Sequence, residues 1–85
     1  GIMEEEKKIV GKVTHYYPKI SVAVVELQAP INVGDKVLIK GSSTNFEQVV
    51  ESMQIEHKDV RGAEAGQSIG LRVKERVREN DLVYK

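Results

Sequence analysis

Short runs of alternating apolar and polar residues, each ended by turn-forming residues, recur along the chain and most constrain its fold. The clearest is INVGDKVLIKG, residues 31–41, where Gly34 and Asp35 predict a turn and residues 36–40 predict a strand. Gly34 can adopt a positive φ where the chain reverses, and the Asp35 side chain can hydrogen-bond the nearby backbone. A β-branched, apolar run between two glycines is typical of a strand in a small sheet or barrel.

The same alternation predicts strands along the rest of the chain and no helix of more than one turn. The predicted strands span residues 9–15, 20–28, 36–40, 46–58, 67–74 and 81–85. Six short strands around one core suit a closed barrel, because closure removes exposed strand edges. The sequence therefore predicts an all-β fold, a small closed six-stranded β-barrel.

Two of the predicted strands have unusual patterns. The strand over residues 20–28 is apolar in both phases, so we expect it to be covered on both sides, or to become so when a partner docks. In the strand over residues 46–58, Val49 and Met53 share the phase that is expected to face inward. The doubled Val49-Val50 indicates a bulge at this point.

The size of the chain limits its domain organisation. A chain of 85 residues is one domain at most. Gly1 and Ile2 precede Met3 and resemble a tag remnant, and the charged residues that follow are typical of a frayed terminus. We therefore expect residues 1–8 to be a tag remnant and a flexible acidic segment, and residues 9–85 to be a single β-barrel domain.

Charge and cysteine content limit the partners and the compartment. The 13 basic and 13 acidic residues give zero net charge, which argues against a protein that coats nucleic acid indiscriminately. The absence of cysteine excludes disulfides and thiolate metal sites and favours a reducing cytoplasm. No apolar run approaches the ~18 residues of a membrane span, so no membrane partner is expected.

Residues that could carry catalysis are scattered. His15 and His57 lack the spacing of metal ligands, and Ser42 and Ser43 lie in a polar loop without a G-x-S-x-G elbow. No G-x-x-x-x-G-K-[ST] phosphate loop is present, so no nucleotide is expected. The sequence therefore predicts no catalytic residue, no metal and no cofactor, and a protein that is not an enzyme.

Four cations at alternate positions form the clearest polar pattern: Arg72, Lys74, Arg76 and Arg78. If the strand continues that far, all four side chains point to one outer face about 6.6–6.8 Å apart, which matches the scale of a phosphate backbone. They are therefore candidate nucleic-acid-binding residues. The alternative is a solvated strand face whose cations pair with Glu64, Glu75 or Glu79.

Three residues of the first predicted turn extend this candidate nucleic-acid surface. Lys19 adds a cation, and the rings of Tyr16 and Tyr17 can stack on an unpaired base. The alternative for each tyrosine is a ring that packs on the barrel and exposes only its hydroxyl.

A second candidate surface is apolar. If both phases of residues 20–28 cannot fit inside, Val22 and Val24 face outward, and a contiguous outer patch of this kind marks a protein-docking surface. The alternative is that the N-terminal segment covers these two side chains.

Three motifs resemble those of one family of small barrels. INVGDKVLIKG, residues 31–41, is similar to an apolar-x-x-G-D-x-V-x-x-x-G strand. VESMQ, residues 50–54, with VRGAEAGQSIGLRV, residues 60–73, is similar to V-x-S-[IM]-x followed by A-x-x-G-x-x-[VI]-G-[LV]-x-[LV]. RENDLVY, residues 78–84, resembles the turn that closes the barrel. From about residue 9 to residue 85 the chain thus resembles domain 2 of the translational GTPases, the barrel of elongation factor Tu and initiation factor 2.

The chain also departs from that family. Residues 16–19 replace the usual Gly and Arg of the first hairpin tip, and residues 79–81 lack the usual glycine of the closing turn. Without a phosphate loop, this would be a stand-alone barrel that lacks the GTPase domain. Similar barrels also occur at the end of U32-type peptidases and in the Gar-type subunit of RNA-guided pseudouridylation particles, so the fold alone leaves the role open.

The resemblance implies a non-enzymatic, translation-factor-like binding module that contacts structured RNA or the ribosome through the exposed basic strand face. The alternative hypothesis is a protein-protein interaction module that docks on a larger partner through the apolar strand face. The neutral net charge mildly favours this alternative. The identity of the RNA or protein and the oligomeric state are left open by the sequence.

Overall fold

The computed structural model describes residues 7–85, and this part of the chain is all-β. Its strands are β1 (Ile9–Tyr17), β2 (Val22–Leu27), β3 (Ile31–Asn32), β4 (Lys36–Lys40), β5 (Asn45–Val49), β6 (Met53–Ile55), β7 (Lys58–Val60), β8 (Gly62–Ala63), β9 (Ser68–Arg72) and β10 (Leu82–Tyr84). Eight strands form one sheet in the order β5-β4-β10-β1-β2-β9-β6-β7, and β3 pairs with β8 in a small second sheet. All of these pairings are antiparallel.

The main sheet curls around an aliphatic core. In β4 the alternation runs as the sequence predicts, because Val37 and Ile39 are buried between exposed lysines. The core also takes side chains from every other long strand, among them Val13, Val25 and Leu71. Burial of one face of each strand is therefore the main force that holds the sheet in its curved form.

The sheet is open, and the predicted closed six-stranded barrel is wrong in this respect. Its two edge strands, β5 and β7, have no ladder partner on their outer sides within residues 7–85. The chain leaves the sheet at β5, crosses residues 50–52 without ladder pairing, and rejoins the other end of the sheet as β6. The result is an open half-barrel, because β5 pairs with β4 at one end of the sheet and β6 pairs with β9 near the other.

The single long strand predicted over residues 46–58 is therefore wrong. It is divided into β5, β6 and β7, and the interruption lies next to the predicted bulge. Val49 was expected inside, but its side chain is 48% exposed, whereas Gln48 and Val50 are buried. The side that faces the core changes at residues 51 and 52, which are both exposed, so Met53 faces inward again.

The first hairpin also differs from the prediction. The expected turn over residues 16–19 begins later, because β1 continues through Tyr17 and the turn occupies residues 18–21. A register shift between Val13 and His15 places His15 opposite Val24 and Tyr17 opposite Val22. This bulge turns both side chains to the outer face of the sheet.

The two ends of the described chain pair with each other. Lys8 N–H donates to the Lys85 carbonyl at 3.0 Å, and Lys85 N–H donates to the Lys8 carbonyl at 2.9 Å. The flexible segment that was expected over residues 1–8 otherwise lies outside the described residues. Within residues 7–85, the search for helices long and apolar enough to cross a membrane found none.

Candidate functional site

The outer face of β1, β2 and β9 brings aromatic, apolar and charged side chains next to one another. We call this group the platform, and it consists of His15, Tyr17, Val22, Val24, Gly70 and Arg72. The ladder aligns them in two rows, Tyr17–Val22–Arg72 and His15–Val24–Gly70. Neighbouring strands are about 4.7–4.9 Å apart, so each row is continuous enough to contact one ligand.

The aromatic end of the platform is held by a side-chain pair. The rings of His15 and Tyr17 pack edge to face with centroids 4.4 Å apart, a favoured arrangement for aromatic rings. His15 Nδ1 also lies 3.6 Å from Glu79 Oε2. Tyr17 remains 47% exposed, so one face of its ring is available for contact.

The centre of the platform is apolar and shallow. Val22 and Val24 face outward and are half-buried, as the apolar strand pattern predicted for any that did not fit inside. Gly70 lies opposite Val24, and a Cβ atom at this position would be 3.3 Å from Val22 Cγ1. The lack of a side chain at Gly70 therefore leaves a flat floor beside the two valines.

The four predicted cations are exposed but do not share one strand. β9 ends at Arg72, so Lys74, Arg76 and Arg78 follow in irregular chain, and only Arg72 belongs to the platform. Within residues 7–85, none of the four lies in a salt bridge; Glu79, one expected partner, pairs with His15 instead. The structure thus keeps their charges open to solvent while it separates them from the expected straight row.

The structure separates the other three candidate residues. Tyr16 lies opposite Ala23 and packs partly on the core, which is the alternative considered for the tyrosines. Tyr17 faces outward on the platform, and Lys19 is exposed in the turn beyond it. Successive residues of a strand face opposite sides, so the two tyrosines do not form one stacking surface, and the bulge in β1 decides that Tyr16 is the one that faces the core.

The role of Gln48 was not apparent from the sequence. Its Nε2 donates to the Arg72 carbonyl at 2.9 Å, and its Oε1 accepts from Lys74 N–H at 2.9 Å. One side chain thereby joins edge strand β5 to the end of β9, where ladder pairing is missing. We call the opening between β5 and residues 72–74 the seam, and Ser21 and Ser52 also line it.

The far end of β5 is fixed by the Gly34-Asp35 turn. The Asp35 carbonyl accepts from Val50 N–H at 2.8 Å, and its carboxylate accepts from Asn32 N–H at 2.8 Å. Burial opposes ionisation of Asp35, but hydrogen bonds from Lys85 and Asn32 and the positive charge of Lys85 hold its pKa below the ordinary value. Lys85 Nζ lies 2.9 Å from Asp35 Oδ2.

Among residues 7–85, no group of three or more His, Asp or Glu side chains is arranged to hold a metal ion. His15 and His57 lie at different places in the fold: His15 contacts Glu79 on the outer face, and His57 lies in the turn between β6 and β7.

Proteins with a sequence similar to that of this chain are named as a protease and as collagenases. The chain is 46% identical over 86 residues to an uncharacterized protease of Methanocaldococcus jannaschii, an alignment that spans 99% of this chain and 21% of the relative. It is 35% identical over 82 residues to a collagenase of Porphyromonas gingivalis, which spans 94% of this chain and 23% of that protein. The chain thus spans about a fifth of the length of the curated relatives it matches. No protein-family model matches the chain.

The similar solved structures also come from a protein described as a peptidase. The C-terminal domain of a putative U32 peptidase from Geobacillus thermoleovorans superposes with a TM-score of 0.87 at 26% identity, covering 92% of this chain and 99% of that one. A second structure of that domain gives a TM-score of 0.83 at 26% identity, with 88% of each chain covered.

These comparisons correct the identification made from the motifs. The resemblance to translation-factor domain 2 is wrong, because the structural neighbours are the C-terminal domain of a U32 peptidase. The motifs misled because glycine-aspartate turns and alternating strands report barrel-like geometry, which unrelated small β-domains share.

The functional expectations are corrected with it. The prediction of a translation-factor-like module that contacts RNA or the ribosome is wrong, because the relatives are named as proteases and a collagenase. The expectation that the protein is not an enzyme is wrong for the same reason. The alternative, docking on a larger protein through the apolar strand, is not better supported by these relatives.

Proposed function

We propose that this chain acts as the C-terminal domain of a U32-type peptidase. The observation that carries this proposal is the match to the solved C-terminal domain from Geobacillus thermoleovorans, which extends over 99% of that chain with a TM-score of 0.87. The 46% identity to the protease of Methanocaldococcus jannaschii supports the same assignment. The proposal keeps the cytoplasmic location that the lack of cysteine favours.

In such a peptidase, we assign to this domain the binding of polypeptide substrate through the platform. Tyr17 offers an exposed ring, Val22 and Val24 offer apolar area, and Arg72 offers a guanidinium at the end of the row. Tyrosine and arginine are enriched where proteins contact one another, because each combines a large contact area with directional hydrogen bonding. An unfolded polypeptide carries this mixture of apolar and polar groups.

The test uses the full-length protein that carries this domain, with gelatin as an unfolded polypeptide substrate and a short chromogenic peptide as a second substrate. Replacing both Tyr17→Ala and Val22→Ala is expected to raise KM for gelatin about tenfold, the ratio that corresponds to ~1.4 kcal/mol of lost binding. Turnover of the short peptide is expected to be unchanged, since it is too small to contact the platform while it is being cleaved.

The matched control is Ile9→Ala, which removes another half-exposed apolar side chain of β1, eight residues and about 26 Å along the strand from Tyr17. It is expected to leave both KM values unchanged. Equal KM for gelatin in the platform variant and the control, or an absence of peptide hydrolysis by the full-length protein, would refute the proposal.

A further inference from the structure

Within residues 7–85, the backbone of edge strand β5 is unpaired on one side. Gly41 N–H donates to the Thr44 carbonyl and Val50 N–H donates to the Asp35 carbonyl, each at 2.8 Å, so the even-numbered residues direct their backbone groups to β4. Because these directions alternate along an antiparallel strand, Glu47 and Val49 direct their N–H and C=O groups away from β4 and into the seam. Such unpaired groups are a template for an additional strand.

The opposite wall of the seam, residues 72–74, is joined to β5 through a side chain and not through strand pairing. Gln48 points to the core side, and its carboxamide satisfies the Arg72 carbonyl and the Lys74 N–H, two groups that would otherwise need a neighbouring strand. The carboxamide therefore spans the seam on the side that faces the core, and the outer side of the seam stays open to solvent. The exposed side chain of Val49 lies at the rim of this opening.

The charges around the seam favour an acidic ligand. Arg72 and Lys74 line one wall, are exposed, and form no salt bridge within residues 7–85. On the opposite wall, Glu47 is already compensated by Lys7 at 3.7 Å and Lys36 at 3.6 Å. Glu51 is the acidic residue that remains at this wall, so the cations outnumber the uncompensated acids at the seam.

We infer that the edge of β5 binds an extended acidic segment of polypeptide as an added strand in the seam. Backbone hydrogen bonds to Glu47 and Val49 supply the affinity, and carboxylates that face Arg72 and Lys74 supply the preference. The inference deepens the proposed function, on which it rests, by naming the class of segment that this domain would hold for a peptidase.

The experiment measures binding of a fluorescein-labelled peptide of alternating Glu and Val to the 85-residue chain by fluorescence anisotropy. Val49→Pro removes one N–H that points into the seam without removing a bond to β4, and edge positions tolerate proline. This variant is expected to weaken binding by about tenfold or more, corresponding to ~1.4 kcal/mol. Val49→Ala, which keeps the N–H, is the matched control and is expected to bind within about twofold of wild type.

Charge is tested with a second pair of measurements. A peptide in which Lys replaces every Glu is expected to bind about tenfold more weakly than the acidic peptide, and Arg72→Glu with Lys74→Glu is expected to reverse the order. Thermal unfolding of each variant establishes that it is folded. Equal affinity of the proline and alanine variants for the acidic peptide would overturn the inference.

The same assay separates the possible occupants and the two proposals. A concentration-dependent dimer that Val49→Pro dissociates, without peptide binding, would show that a second copy of the chain covers the edge, and would overturn the inference. Loss of peptide binding in the proline variant, with gelatin hydrolysis insensitive to Tyr17→Ala and Val22→Ala, would support the seam and reject the platform. The reverse result would reject the seam alone.

Discussion

The two edges of the main sheet are built in opposite ways. β7 has three residues, begins after a tight turn, and carries on its outer face a hydrogen bond of 3.0 Å from Gln54 Nε2 to Asp59 Oδ1. Beyond it, the Arg61 carbonyl accepts from Val33 N–H, and the chain passes directly into β8. β5 has five residues, and its outer edge, which pairs with no strand of residues 7–85, faces the seam.

This difference separates a protected edge from an available one. Short, strongly twisted edge strands resist pairing with other chains, whereas a longer edge with unpaired backbone groups invites it. In β5, a buried side-chain amide from Gln48 replaces the missing neighbour without closing the sheet. The comparison indicates that the opening in this half-barrel is maintained by specific contacts.

The largest expected effect is the loss of the Gln48 bridge. Gln48→Ala leaves the Arg72 carbonyl and the Lys74 N–H without their partner in a partly buried position, and is expected to lower the free energy of unfolding by about 2–4 kcal/mol. Gln54→Ala at the other edge removes one exposed bond and is expected to cost less than about 0.5 kcal/mol. Urea unfolding of both variants measures the difference, and similar losses would show that the two edges are held alike.

A smaller effect is expected where the turn before β4 fixes the end of β5. Asp35→Asn removes the ion pair with Lys85 and is expected to lower stability by about 0.5–1 kcal/mol at pH 7. Since the folded-state pKa of Asp35 lies below its ordinary value, this contribution is present above the unfolded pKa of about 3.9 and is lost as pH falls through the folded value. Unfolding of both proteins from pH 7 to pH 2 checks this, and a difference independent of pH would contradict it.

An effect of similar size but opposite sign, a gain, is expected at the turn before β7. Glu56 and His57 have φ of 53° and 67°, a conformation that side chains other than Asn, Asp and Gly disfavour. Replacing them with Glu56→Asn and His57→Gly is expected to stabilise the protein by about 0.5–1 kcal/mol. The thermal midpoint measures the gain. An unchanged or lower midpoint would show that these two residues are not strained.

Several features of the fold could be predicted from local sequence. The limits of β4 and the positive φ of Gly34 follow from alternation and turn chemistry. The exposure of Arg72 follows from the same alternation. Each of these depends on residues that are close in sequence, which a period of two can register.

The parts of the candidate site that could not be predicted depend on distant partners. Gln48 can be buried because its carboxamide hydrogen-bonds the Arg72 carbonyl and the Lys74 N–H, which lie 24 and 26 residues further along the chain. Considered alone, the polar Gln48 would be expected to face solvent and its apolar neighbour Val49 to face the core. Which of the two tyrosines, Tyr16 or Tyr17, faces the core likewise depends on a bulge set by the pairing of β1 with β2.

The sequence by itself determined that the chain forms short antiparallel strands with an aliphatic inner face, because burial of alternate side chains is encoded residue by residue. Only the tertiary structure decided that the sheet stays open. Residues 50–52 carry the chain from β5, which pairs with β4, to β6, which pairs with β9, and the side-chain amide of Gln48 spans the resulting gap. The seam exists through that non-local pairing and the platform through the pairing of β1, β2 and β9, and no local period records either.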